Sequence, residues 1–426
     1  LRYFACLLFY FISMLLLLLL LIAPACSYYI GVGIGDITGP AAEVNMMGYA
    51  NPDQTDSGIH LRLYSRAFII KENQFSKPIA FVSLDAGMTS QLVKFEVVNR
   101  LKTLFNATYD HSNVMLSSTH THSGPAGYFQ YLLFTITSMG FVGQSYEALV
   151  EGIVKKLQSI YQAHFNVKEG KILYSKGDLY NASINRSPAS YMLNPEEERA
   201  KYILFVLTFR YKTDVDKEML LLKFVDSKGN PMGMINWFAV HGVSMNSSNL
   251  LISSDNKGVA SILFESAMNK KPILGKGPFV AAFAQSNEGD VSPNIKGPVC
   301  IDTGKPCDYV RSTCDGKSQK CIAFGPGKDM FESTMIIGKQ QFKKALELFD
   351  AATDEVSGQV SSIHQYVDMT NVNVQYKEGR KGSTCKPAMG FSFAAGTVDG
   401  PGAFDFSQGG FFFWPKLLNY MSISFS

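Results

Sequence analysis

Apolar runs of strand length, alternating with helical patterns, constrain the fold of this 426-residue chain most strongly. Four runs have the length and composition of buried strands, and they span 78–84, 113–117, 233–240 and 278–284. Three segments place apolar side chains along one helical face, and they span 145–164, 259–269 and 333–350. No internal repeat or long linker interrupts the alternation after Tyr28. The sequence therefore predicts one continuous α/β domain with helices packed on a sheet.

An uncharged apolar stretch, 7–24, lies near the start of the sequence. It follows Arg2 and is bordered by small residues around Ala23 and Ala25, which is typical of a secretory signal peptide. Its length is also close to the ~20 residues that a membrane span requires, so an uncleaved signal anchor is the alternative. We expect residues 1–27 to be a signal peptide or anchor. The protein is then secreted, lumenal in the secretory pathway, or anchored through this segment.

Four cysteines recur every seven residues in a polar, glycine-rich stretch, and they are Cys300, Cys307, Cys314 and Cys321. An oxidising compartment favours disulfides over a zinc site here, because no Cys-x-x-Cys spacing occurs. The spacing leaves all three pairings open, and Cys385 has no evident mate. Four Asn-x-Ser/Thr motifs are compatible with glycosylation in the same pathway, and they begin at Asn106, Asn181, Asn185 and Asn246.

The balance of charges argues against a nucleic-acid partner. Lys and Arg number 39 against 36 Asp and Glu, which leaves a net charge of +3. The basic residues are not clustered, so the chain lacks the electrostatic footprint of a nucleic-acid binder. We exclude that class.

Three of the seven histidines follow predicted strands. His120 and His122 come just after the run 113–117, and residues two apart in an extended chain point to the same face. His241 follows the run 233–240. By default such residues cap strands or bond to the backbone, but three imidazoles at strand ends also suit a metal site. A catalytic zinc usually takes three protein ligands and a water, and His120 and His241 are candidates for two of these ligands. Two ligands so close in sequence would crowd one metal, so His122 is a candidate proton donor or orienting group.

Ser292 and Arg186 are further candidates, each with a simpler interpretation. Ser292 precedes a proline, as a residue that caps the start of a helix commonly does. Its alternative role is a hydroxyl at the mouth of a site, although no Gly-x-Ser-x-Gly motif of a serine hydrolase is present. Arg186 is by default a solvated loop residue, and the alternative is a guanidinium that stabilises an oxyanion. The pattern Gly31-x-Gly33-x-Gly35 lacks the remainder of a dinucleotide-binding motif.

Six motifs that occur in order resemble the neutral ceramidase family. They are GVGIGDITGPAAEVNMMGYA (31–50), STHTHSGPAGYFQY (118–131), INRSP (184–188), WFAVHGVSMNSSN (237–249), FVAAFAQSNEGDVSPN (279–294) and CKPAMGFSFAAGTVDGPGAFDF (385–406). The resemblance extends from about Tyr28 to Gln408. It implies a mixed-sheet α/β catalytic domain and zinc-dependent hydrolysis of the amide bond of ceramide to sphingosine and a fatty acid. Ceramide and other N-acylsphingoid lipids are then the substrates, supplied from a membrane surface.

The resemblance also implies roles for individual residues. His120 and His241 match zinc ligands, and His122 and Arg186 match residues that assist at the amide. Ser292 matches the residue assigned as nucleophile, and the alternative is that it binds the substrate while zinc-bound hydroxide attacks. The four spaced cysteines are implied to pair as Cys300 with Cys314 and Cys307 with Cys321.

Two segments depart from the family pattern, namely 203–211, which resembles an insertion, and the tail 409–426. We expect residues 28–408 to form an incomplete catalytic domain. Family members continue into a glutamate and a tyrosine that complete the zinc shell and an immunoglobulin-like C-terminal domain. Retained intron sequence would explain both segments. On this interpretation the chain binds zinc weakly and has little activity; the alternatives are a zinc hydrolase of another N-acyl lipid, a non-catalytic lipid-binding product, and a structural or carbohydrate-binding protein.

Overall fold

The computed structural model describes residues 27–199, 213–270, 273–375, 379–386, 391–402 and 406–408. The apolar stretch 7–24, the segment 203–211 and the tail 409–426 lie outside these ranges. The expectations for those segments and for the domain boundaries therefore stay predictions. Within the described ranges, no helix combines the length and apolar character that crossing a bilayer requires.

A nine-stranded mixed sheet organises the fold. Its strands are β1 (Tyr28–Asp36), β3 (Tyr64–Lys71), β4 (Ile79–Leu84), β5 (Val114–Ser118), β7 (Lys168–Asp178), β9 (Glu218–Asp226), β10 (Pro231–Phe238), β11 (Val280–Gln285) and β15 (Asp354–Glu355). Their order is β11-β10-β9-β7-β1-β3-β4-β5, with β15 beside β7. The pairs β4–β5 and β10–β11 are parallel and the other pairs are antiparallel. The prediction of a mixed α/β sheet is confirmed, and all four predicted runs are strands.

The described residues form nine helices. They are α1 (Gln91–Leu104), α2 (Leu132–Thr137), α3 (Gly143–Val154), α4 (Ser159–Phe165), α5 (Pro188–Met192), α6 (Glu196–Arg199), α7 (Asp255–Asn269), α8 (Met330–Ala351) and α9 (Phe391–Ala395). One core lies between β3–β5 and helices α1, α3 and α4, and a second lies between β9–β11 and helices α7 and α8.

A third core fills the space between the two halves of the sheet, which therefore curls and faces itself. Phe68 of β3 packs against Phe224 of β9 with ring centroids 5.3 Å apart, and Phe81 of β4 lies 5.7 Å from Trp237 of β10. The edge strands also meet, because the Gln285 side chain donates to the carbonyls of Thr119, at 2.8 Å, and Val240, at 2.6 Å. The curl thus brings together the chain segments that follow β5 and β10.

Short strand pairs complete the structure outside the main sheet. They are β2 (Met46–Met47) with β6 (Gly124–Pro125), β8 (Ile184–Asn185) with β12 (Val291–Ser292), β13 (Gly297–Cys300) with β14 (Cys321–Phe324), β16 (Asn373–Gln375) with β17 (Lys381–Ser383), and β18 (Gly396–Thr397) with β19 (Gly400–Pro401). A single turn of 3-10 helix, Ser318–Lys320, precedes β14.

The prediction of one helix over 145–164 is wrong, because α3 and α4 are separate helices. Leu157, between them, has φ 66° and is 68% exposed, so it does not belong to the predicted apolar stripe. The glycines of β1 explain the close packing of both helices. A Cβ at Gly31, Gly33 or Gly35 would lie about 2 Å from backbone oxygens of α4 or α3. The repeated glycines thus serve helix–strand packing.

Candidate metal centre

The three predicted histidines lie together where the curled sheet brings the ends of β5 and β10 side by side. β5 ends at Ser118 and β10 ends at Phe238, so each histidine lies in a loop just beyond its strand. An isolated parallel bridge pairs Thr121 with Gly242. A Cβ at Gly242 would lie 2.5 Å from the carbonyl oxygen of His120, so this close approach requires glycine.

The imidazoles form one cluster. Ring centroids are 4.6 Å apart for His120 and His122, 4.7 Å for His120 and His241, and 5.6 Å for His122 and His241. One nitrogen of each ring lies within 4.8 Å of the others. The expected extended backbone is wrong at His120, whose φ is 63°. Its N–H donates to the carbonyl of Ala86, at 3.0 Å, so pairing with the chain after β4 stabilises this turn.

Backbone carbonyls orient two of the rings for metal binding. Nδ1 of His120 lies 2.6 Å from the oxygen of Gly87, and Nδ1 of His241 lies 2.7 Å from the oxygen of Glu288. A carbonyl oxygen only accepts, so each Nδ1 carries the proton and each Nε2 keeps a lone pair. Metal-binding histidines are commonly held in this way. The donor set therefore fits a divalent metal ion.

Burial lowers the pKa of His122 well below its ordinary value, and His120, His241 and Arg186 add to the effect. Burial likewise lowers the pKa of His241, with further contributions from Arg186 and His120. Both rings are therefore neutral at physiological pH, which is the form that binds a metal. His122 also packs edge-on against Tyr49, with centroids 4.6 Å apart.

Arg186 belongs to the cluster and is not a solvated loop residue. Its side chain is 13% exposed, and Nη2 donates to the carbonyl of Gly289, at 2.8 Å. Nη2 also lies 3.2 Å from Nε2 of His241, and Nη1 lies 3.3 Å from Oδ2 of Asp399. A metal ion and Arg186 therefore compete for the same lone pair of His241.

Ser292 is fully buried and connected to Arg186 through Asp399. Its Oγ donates to Oδ1 of Asp399, at 2.7 Å, and accepts from the N–H of Asn294, at 3.0 Å. The interpretation of Ser292 as a helix cap is wrong, because it lies in β12 and pairs with β8. This pairing continues into the hydrogen bond from the Arg186 N–H to the carbonyl of Asp290, at 2.8 Å, and so places Arg186 next to the histidines.

Sequence reasoning did not identify Asp399, Tyr49 or Gly48 as site residues. Asp399 is 5% exposed and accepts from Ser292, Arg186 and the Asn294 amide, which lies 2.9 Å away. Gly48 has φ 130°, and a Cβ there would lie 2.4 Å from Cγ of His122. The only local signals were the Thr-Val-Asp-Gly-Pro turn at 397–401 and the Gly-Tyr pair at 48–49, and neither indicates a role by itself.

The four spaced cysteines form the two disulfides that the family resemblance implied. Cys300 pairs with Cys314 and Cys307 with Cys321, so these sulfurs are not free metal ligands. Cys385 is free and exposed.

Together, the curled mixed sheet and the converging imidazoles define an α/β protein with a candidate metal centre. The chain belongs to the neutral/alkaline non-lysosomal ceramidase family, because the model of that family's N-terminal part matches residues 28–421. It is 51% identical over 390 residues to neutral ceramidase A of Dictyostelium discoideum, an alignment that covers 90% of this chain and 53% of the relative.

Two solved structures share the fold. Neutral ceramidase from Pseudomonas aeruginosa is 37% identical with a TM-score of 0.72, and the match covers 86% of this chain and 52% of that one. A structure described as "Ceramidase complexed with C2" is 36% identical with a TM-score of 0.75, and the match covers 92% of this chain and 57% of that one. The chain thus spans about half the length of the relatives it matches.

Proposed function

We propose that the chain contributes to a zinc-dependent amidase that hydrolyses ceramide to sphingosine and a fatty acid. The observation that carries the proposal is the convergence of three imidazoles, of which His122 and His241 are buried and His120 and His241 have Nδ1 held by a backbone carbonyl. Family membership supports ceramide, or another N-acylsphingoid lipid taken from a membrane surface, as the substrate. The two disulfides support a location in the secretory pathway.

In the proposed mechanism His120 and His241 hold the zinc ion through Nε2. When bound, zinc polarises the amide carbonyl and lowers the pKa of a coordinated water. Burial keeps His122 neutral, so its ring is able to accept a proton from the attacking nucleophile and then to deliver that proton to the departing amine. A poor leaving group such as an amine needs this proton.

Arg186 and Ser292 are proposed to contact the reacting amide. The guanidinium of Arg186 lies beside His241, where it is placed to donate hydrogen bonds to the developing oxyanion. Asp399 holds both Arg186 and the Ser292 hydroxyl, so it fixes their relative positions. Asp399 is therefore a positioning residue.

Metal content and turnover test the proposal together. The purified full chain, its His120→Ala variant and a His164→Ala control would be analysed for bound zinc and for fatty acid released from a short-chain ceramide. His164 is a suitable control because its ring lies outside the cluster and bonds to the Tyr109 hydroxyl, at 2.8 Å. Relative to the level that the parent chain shows, however low, we expect His120→Ala to lose zinc and turnover, and His164→Ala to retain both. Zinc-independent turnover in His120→Ala would refute the metal mechanism, and preference for other N-acyl lipids would refute the substrate.

A further inference from the structure

The two loops that carry the histidines both contact the beginning of helix α7. We call the segment Ser253–Lys257 the α7 start. Its members are polar and almost completely buried, with exposures of 0% for Ser253, Ser254, Asp255 and Asn256 and 1% for Lys257. Buried polar groups are costly unless they are hydrogen-bonded, so the partners of this segment indicate what it stabilises.

The first set of partners lies in the loop of His120 and His122. The hydroxyl of Thr121, the residue between the two histidines, donates to the carbonyl of Ser253, at 2.6 Å. The N–H of Ser253 donates to the carbonyl of Ser123, at 2.8 Å. The loop is thus attached to the α7 start on both sides of His122.

The second set of partners lies in the loop of His241. Nδ2 of Asn256 donates to the carbonyl of His241, at 2.9 Å, and to Oγ of Ser244, at 3.1 Å. Oδ1 of Asn256 accepts from Nε2 of Gln341 in α8, at 2.9 Å. Because the Gln341 amide nitrogen only donates, the oxygen of Asn256 must face it. The amide nitrogen of Asn256 is therefore fixed toward His241.

The backbone of the α7 start is strained in support of the same contacts. Asp255 has φ 52°, a left-handed conformation that a residue other than glycine adopts at a cost. Its carboxylate accepts from the N–H groups of Met245, at 2.9 Å, and Ser244, at 3.2 Å. Ser244 and Met245 continue the His241 loop, so the strained turn places the Asp255 carboxylate where it binds that loop.

We propose that Asn256 and Ser253 position the metal ligands by fixing the spacing between the His120 and His241 loops. This inference rests on the proposed function, because it assumes that His120 and His241 bind a metal ion. Asn256 is a positioning residue and does not itself contact the metal.

The Asn256→Asp variant tests this role, because it replaces the donor that faces the His241 carbonyl and keeps the side-chain size. Zinc dissociation constants and the visible spectrum of the cobalt-substituted protein would be measured for the full chain and the variant. We expect zinc affinity to fall about 10–100-fold, as for other residues that orient ligands, and the cobalt bands to shift. An unchanged affinity together with an unchanged spectrum would overturn the proposal.

A matched control separates positioning from general destabilisation. Asn113 is equally buried, and its amide donates to the carbonyls of Pro78, at 2.8 Å, and Thr108, at 2.9 Å, away from the imidazoles. Asn113→Asp should lower thermal stability and leave zinc affinity and the cobalt spectrum unchanged. An equal loss of affinity in this control would show that Asn256 has no special role.

Two further measurements cover the remaining outcomes. If Asn256→Asp does not fold, Thr121→Val removes the link to Ser253, and the same comparison of affinity and spectrum then decides. If the parent chain binds no zinc, the proposed function fails, and the ring resonances of labelled His241 without metal still test the positioning. A resonance that does not move between parent and variant would refute it.

Discussion

Replacing Asp399 by Asn should lower both the stability of the fold and the turnover of the site. The carboxylate accepts from Ser292 and Asn294 through Oδ1 and pairs with Arg186 through Oδ2. An amide has one acceptor and one donor end. If the oxygen of the new Asn side chain accepts from Ser292, its NH2 group lies opposite the guanidinium of Arg186, which is also a donor. If the side chain is flipped, the NH2 group lies opposite the amide of Asn294, which is a donor as well. Either orientation leaves buried donors opposed.

The expected loss follows from these contacts. A hydrogen bond to a charged group contributes about 1.5–3 kcal/mol, and a buried pair that loses one partner costs about 3–5 kcal/mol. Because the Asn side chain keeps part of the network, we expect Asp399→Asn to lower the free energy of unfolding by about 2–4 kcal/mol. Arg186 loses its orientation, so kcat should fall on the order of 10²-fold, as when a donor to an oxyanion is removed.

The assays are urea unfolding and fatty acid release from a short-chain ceramide. Asp56→Asn is the control. Asp56 is also buried, at 2% exposure, but among the described residues its side chain accepts only one hydrogen bond, from the N–H of Val44 to Oδ1. We expect the control to lose about 1 kcal/mol or less and to keep its turnover. If Asp399→Asn matched the control in both assays, Asp399 would not organise the site.

Three further outcomes follow. Gly48→Ala should displace His122 and weaken zinc binding in a competition assay, whereas Gly229→Ala, also at positive φ but with no atom within 4 Å of its Cβ, should not. Burial lowers the pKa of Lys257 to about 7, so the unfolded chain binds more protons above that pH. Urea unfolding should therefore show stability rising between pH 7 and the ordinary lysine pKa, and Lys257→Met should reduce the rise. The Cys300–Cys314 bridge joins residues 14 apart in the sequence. Removing it should lower the free energy of unfolding by about 3 kcal/mol in the same assay, and an unchanged free energy would refute that value.

The strands and the imidazoles were accessible to sequence reasoning because each depends on a local signal. Buried strands are continuous apolar runs, and a histidine just after such a run lies at the edge of the sheet. The same reasoning failed at Leu157 and Ser292 for a shared reason. A helical period does not reveal that two separate helices pack closely on the glycines of β1, and a Ser-Pro pair does not reveal that β12 pairs with β8.

Asp399 could not be found because its contacts are distant in sequence. It lies 107 residues from Ser292 and 213 from Arg186, and no local pattern relates them. The orientation of the Asn256 amide is equally hidden, since it depends on Gln341, 85 residues away. Residues of this kind acquire their roles only through tertiary packing.

The disulfide loop connects these long-range contacts. β13 begins five residues after Ser292, and β14 brings the chain back, so that the N–H of Ala323 donates to the carbonyl of Val398, at 2.8 Å. Val398 packs with the cysteines and immediately precedes Asp399. The bridges therefore restrict the chain on which the Asp399 segment rests. Asp399 orients both Ser292 and Arg186. The disulfide loop, although it lies outside the main sheet, is therefore linked to the imidazole cluster through the carboxylate of Asp399.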